Sequence, residues 1–130
     1  MFMSKTLISE VEVYSQLDTI TNSPLFKGSK VLTILLKFIV KETLEGRGMQ
    51  LKGYTIAIGA LGYKHKVDEH HLAMVRIYAG RLRKLLQRYY SNCHDGDEII
   101  IKIPKGGYNP RFVRMSKTTC VLLMLLINVV

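Results

Sequence analysis

Cysteines are scarce in this chain, acidic residues are few, and no apolar run is long enough to cross a membrane. The two cysteines, Cys93 and Cys120, lie far apart without metal-type spacing, so neither a disulfide framework nor a zinc module is expected. A reducing, cytoplasmic setting is the simpler one. The longest uncharged apolar stretch, Thr118 to Val130, has 13 residues, against the about 20 that a membrane span needs. The N-terminus MFMSKTLISEVEVYSQLDTI interleaves polar with apolar residues and lacks the apolar block of a signal peptide. There is no Gly-rich phosphate loop ending in Lys-Ser/Thr, no G-x-S-x-G and no pair of carboxylates held by spacing. No enzyme, cofactor or small-molecule substrate is therefore expected. His65, His70, His71 and His94 offer no pair at i, i+4 on one helix face, so no metal site is expected either.

What is present is a globular composition, 48% hydrophobic and 22% charged over 130 residues. That length suits one domain with a real core. The 19 Lys+Arg against 10 Asp+Glu give a formal charge of +9, and the charge is unevenly placed. Residues 1–71 hold 9 basic and 7 acidic residues, a net of +2, and residues 72–130 hold 10 and 3, a net of +7. A polyanion-binding face concentrates charge in this way; a solvated basic surface is the bland alternative.

Helical spacing predicts a first helix over Leu7 to Asn22, capped by Ser4 or Ser9 and closed by a turn at Ser23-Pro24. Ser29 caps a second helix, KVLTILLKFIVKETLEG, with Val31, Leu32, Leu35, Leu36, Ile39 and Val40 on one face; Gly46 and Gly48 end it. Leu51 to Leu61 fits a short helix, although Thr55, Ile56 and Ile58 also suit a strand. Gly62 to Glu69 forms a connector with Asp68 as N-cap for the next helix. Leu72 to Ser91 then carries an apolar stripe of Leu72, Val75, Ala79, Leu82, Leu86 and Tyr89, widened by Tyr78 and Leu85. Asn92 to Gly96 is a turn. Glu98 to Ile103 and Tyr108 to Arg114 form a hairpin around Pro104-Lys105-Gly106-Gly107, whose glycines permit positive φ. The fold class is thus mainly α with a C-terminal β-hairpin.

The helix over 72–91 places Arg76 and Arg83 on one side of its polar face and Arg81, Lys84 and Arg88 on the other. Ala73, Ile77 and Gly80 lie between, which would let the backbone approach base edges in a major groove. Arg76 and Arg83 could each read guanine through bidentate bonds; the competing role is an ion pair with Asp68 or Glu69 that orders the connector. Arg81 divides evenly between DNA contact and a structural ion pair. Lys84 and Arg88 suit phosphate contacts, as do Lys105 and the backbone at Gly106 in the hairpin tip. Tyr89 falls on the apolar stripe, so core packing is favoured over base stacking for the Tyr89-Tyr90 pair. Tyr108 is expected to pack its ring under the hairpin.

The run VRIYAGRLRKLLQRYY followed by IKIPKGGYNPRF resembles the OmpR/PhoB-type effector domain, a winged helix-turn-helix. The stretch SPLFKGSKVLTILLKFIVKETLEGRGMQLKGYTIAIGALGYKHKVD resembles more closely the bacterial winged-helix domains at the N-termini of cyclase-like and tetratricopeptide-repeat proteins. The resemblance runs from Pro24 to Phe112 and implies a three-helix core with an extra N-terminal helix. It also implies sequence-specific binding of double-stranded DNA in transcription regulation. By position, Arg76, Arg81, Arg83 and Lys84 match the recognition helix, and Lys105, Gly106, Tyr108 and Arg111 match the wing. The chain departs from the pattern at Gly53, where an acidic residue is usual, at Tyr63, in place of a basic one, and at Lys66-Val67-Asp68, an imperfect Phe-Asp-Pro turn.

Residues 1–23 are thus an N-terminal helix, 24–116 the winged domain and 117–130 an apolar tail. The tail reads as a buried element, as an effect of where the chain ends, or as a truncated anchor that would place the domain at the inner face of the cytoplasmic membrane. ToxR-like relatives of the effector fold carry a membrane span after the wing, which favours the anchor. Paired half-sites suit such domains, which leaves a homodimer open. The rival from another class is a winged helix that has lost DNA binding and docks a protein partner, or a fragment of a membrane-anchored regulator.

Overall fold

The computed structural model describes residues 7–64, 66–91 and 99–115. Among these the chain is mainly helical with one small antiparallel hairpin: α1 (Glu10–Thr21), α2 (Pro24–Lys27), α3 (Lys30–Leu44), a 3₁₀ turn (Gly48–Gln50), α4 (Gly53–Gly59), α5 (Glu69–Tyr90), β1 (Ile99–Lys102) and β2 (Arg111–Arg114). The expected turn over 92–96, Ser4, His65 and the apolar tail 117–130 lie outside the described residues.

Helix α1 starts later than its apolar spacing suggests because Ser9 makes a reciprocal cap. Ser9 Oγ accepts from Glu12 N at 3.2 Å, and Glu12 Oε1 accepts from Ser9 N at 3.1 Å. The Ser23-Pro24 turn is in fact a one-turn helix, α2, with Pro24 at its first position and Phe26 fully buried beneath it. Four residues show no helical period, so apolar spacing could not reveal it. In α3 five of the six expected core residues are buried, while Val31 stays exposed. Gly46, with φ of 86°, ends that helix as expected.

The ambiguous segment over 51–61 is helical, from Gly53 to Gly59. Thr55 Oγ1 fixes its start, accepting from Lys52 N at 2.9 Å. Gly59 lets α4 lie against α3, since a Cβ there would sit 2.4 Å from Phe38 Cζ. Helix α5 begins one turn before Leu72: Asp68 Oδ1 accepts from His71 N at 3.1 Å, and His71 Nδ1 accepts from Asp68 N at 3.2 Å. Apolar periodicity missed this turn because its residues, Glu69, His70 and His71, are polar. The backbone N–H of His71 holds the Asp68 carboxyl below its ordinary pKa.

Helices α3, α4 and α5 pack on one another, and α1 and α2 close one side. Leu36, Ile56, Val75, Leu82 and Ile101 meet in the centre with essentially no exposure. Both strands are shorter than expected. Pro110 has no N–H to give the ladder, and Asn109 instead donates to Gly48 O at 2.7 Å, anchoring the return leg to the 3₁₀ turn. The register pairs Ile99 with Arg114, Ile100 with Val113, Ile101 with Phe112 and Lys102 with Arg111. Ile99, Ile101, Phe112 and Arg114 share one hairpin face and Ile100, Lys102, Arg111 and Val113 the other; Ile99, Ile100 and Ile101 are all buried in the core.

Arg114 joins the N-terminal helix to the hairpin, donating to Leu7 O at 3.0 Å and pairing with Glu12 at 2.8 Å. The backbone of Ser9, then the Arg114 guanidinium, hold the Glu12 carboxyl below its ordinary pKa. A carboxyl whose folded pKa is depressed stabilises the fold above its unfolded pKa, and that contribution is lost as pH falls through the folded value. Acid titration should therefore loosen α1 from β2, and Glu12→Gln should flatten that part of the stability–pH curve. An unchanged curve in Glu12→Gln would show that the contact carries no linkage.

Candidate nucleic-acid interface

The solvent face of α5 is a band of cations around a low centre. Arg76, Arg81, Lys84 and Arg88 are exposed, together with Ile77 and Gln87. Between them Ala73 and Gly80 leave the helix backbone near the surface, and nothing lies within 4 Å of the position a Cβ would take at Gly80. Arg76 pairs with Glu69 at 3.0 Å, both side chains being well exposed. The ordering role weighed for that arginine is therefore present in the structure, but an exposed pair is worth at most about 1 kcal/mol and yields easily to a phosphate. Arg81 sits 5.9 Å from the Tyr78 ring centroid and forms no ion pair among the described residues. A guanidinium over an aromatic face gains modestly there and keeps donors directed at solvent.

Arg83 is placed differently from the other cations. Its Nε donates to Ile103 O at 3.1 Å and its Nη2 to Gly107 O at 2.7 Å, with Pro104 O at 3.5 Å. The guanidinium thus spans the hairpin tip and fixes it against the helix, drawing on the planar fork that a lysine lacks. These bonds occupy Nε and Nη2, the pair a side-on bidentate contact to guanine would use. Arg83→Lys should speed amide exchange across residues 104–108 and cost about 1–3 kcal/mol; exchange at the wild-type rate would mean the fork does not hold the tip.

The hairpin contributes Lys102, Lys105 and Arg111, all exposed. Gly106 takes φ of 92° at the tip, and nothing lies within 4 Å of a Cβ built there. Lys102 stands directly opposite Arg111 in the ladder. Like charges so placed destabilise a hairpin, and residues 99–115 contain no acid to relieve them. Lys84, Lys102 and Lys105 border one cleft of about 550 Å³ between α5 and the hairpin. Arg76, Arg81 and Arg88 lie along the helix and do not border it, nor does Arg111.

No protein-family model, curated protein or solved structure matches this chain. Among the described residues no cluster of three or more metal-ligating side chains occurs, and no helix is long and apolar enough to cross a membrane.

Lys102 was missed from the sequence, although the alternation in IIIKI sets it on the outer face with Ile100. Asn109 was missed as an anchor because its acceptor is 61 residues away. Tyr108 is half-buried and packs against the core. Tyr90 does more than fill space: its hydroxyl donates to Ile99 O at 3.0 Å and accepts from Ile101 N at 3.0 Å. These are the groups that β1 turns away from β2.

Proposed function

We propose that this chain is a winged-helix protein that binds double-stranded DNA sequence-specifically and regulates transcription. Helix α5 would serve as the recognition helix and the β1–β2 hairpin as the wing. The observation that carries the reading is the set of cations on two adjoining elements with almost no counter-charge. Helix α5 holds five Lys/Arg against Glu69 alone, and residues 99–115 hold four with no acid. The like-charged pair Lys102–Arg111 sharpens it, because folding alone gives no reason to set these charges opposite one another.

Within this reading, Ala73 and Gly80 allow the helix to approach base edges, flanked by Arg81 and by Arg76, which would exchange its exposed Glu69 pair for them. Lys84, Arg88, Lys105, Arg111 and the Gly106 backbone contact phosphates. Arg83 shapes the wing rather than reading bases.

The test is fluorescence anisotropy with duplex DNA over a salt series, preceded by selection of bound sequences from a random pool. Contacts to about five phosphates predict a several-hundred-fold fall in affinity between about 50 and 200 mM salt. Lys84→Ala should reduce the slope of log K against log salt by about one and affect all sequences alike. Arg76→Ala should narrow the gap between selected and random DNA by about 1–3 kcal/mol. An affinity indifferent to salt, or a random pool that yields no preferred sequence, would overturn the proposal.

A further inference from the structure

The cleft between α5 and the hairpin has a chemistry of its own. Its volume of about 550 Å³ falls in the range of small-molecule sites. Its floor includes Ile100, Val113 and Met115, which share one hairpin face, together with Ile101 and Ile103 from the other; Ile100 is nearly fully buried at its base. On the same face the character changes along the strand, from Ile100 to Lys102 and on to Lys105 at the tip. Lys84 approaches from the helix side, and no acidic residue borders the space among the described residues. None of the three lysines makes an ion pair among the described residues.

From this gradient we infer that the cleft binds an amphiphilic anion: an unbranched hydrocarbon chain lying on Ile100, Val113 and Met115, with a carboxylate held by Lys84, Lys102 and Lys105. The orientation follows from the order of residues, since the apolar end of the face is at the strand base and the cationic end at its tip. An aliphatic chain alone would find the floor but leave the lysines unanswered. A hydrophilic anion would find the lysines but leave the floor wet. The inference does not require the nucleic-acid reading, although Lys84 and Lys105 serve in both; failure of DNA binding would leave the decanoate titration unchanged.

Titration of decanoate into the full chain, followed by amide chemical shifts and calorimetry, tests this. Decanoate should shift the amides of Ile100, Val113 and Gly80, and should bind at least tenfold more tightly than decanol or decyltrimethylammonium. Lys102→Ala, an exposed change that leaves the core intact, should reduce decanoate affinity several-fold and leave decanol unchanged. Val113→Trp, checked for retained helicity, should block the floor and weaken decanoate tenfold or more. Equal binding of the anion, the alcohol and the cation would overturn the inference, as would decanoate shifts confined to other residues or an absence of binding.

Discussion

Phe26→Ala is expected to lower the unfolding free energy by about 3–5 kcal/mol, the range for deleting a fully buried aromatic ring. Phe26 has no exposure and sits on a helix of four residues, Pro24 to Lys27, too short to hold itself together by backbone bonds. The ring is therefore what binds α2 to the core, and α2 in turn joins α1 to α3. Thr33 Oγ1 donates to Phe26 O at 3.1 Å, so the backbone of the turn is also tied to the first part of α3. Neighbouring Leu25 is only half-buried, and Leu25→Ala should cost clearly less. Urea denaturation of the two variants measures the difference; a loss below about 1 kcal/mol for Phe26→Ala would mean the turn is held by other contacts.

Tyr90→Phe is expected to cost about 2–4 kcal/mol while leaving packing untouched. The change deletes one oxygen from a ring that is almost fully buried. With it go the partners of Ile99 O and Ile101 N, both inside the protein. Each buried polar group left unpaired costs about 1–3 kcal/mol. Gln16 Nε2, 3.4 Å from the same hydroxyl, also loses its contact. The effect should be local: amide exchange at Ile101 should accelerate far more than exchange in α3. Exchange at Ile101 as slow as in the wild type would refute the role of the hydroxyl.

Much of the helical frame was legible in the sequence. The run from Val75 to Tyr89 has a clean apolar stripe, and the structure buries it. Where the period was absent or polar, the reading stopped short: at α2, and at the first turn of α5, which only the Asp68 cap revealed. Strand ends were overestimated because alternation continues past the point where Pro110 withdraws from the ladder. For the candidate site, angular position on a helix gave exposure correctly for Arg76, Arg81, Lys84 and Arg88. It could not show that Arg83, on the same polar face, meets carbonyls of Ile103 and Gly107. Those contacts depend on where a hairpin some twenty residues later folds back, and nothing in the spacing of one helix encodes that. Lys102 escaped for a related reason, since its importance arises only when the register sets it opposite Arg111.

That opposition has a thermodynamic consequence. With Lys102 facing Arg111, the outer end of the hairpin is less stable bare than it is beneath a negative charge, so occupancy and order belong to one equilibrium. By linkage, any anion that settles on this end raises the free energy of opening the β1–β2 ladder by as much as the ladder's closing strengthens its binding. Protection of the hairpin end from exchange would then measure how much negative charge is bound to it.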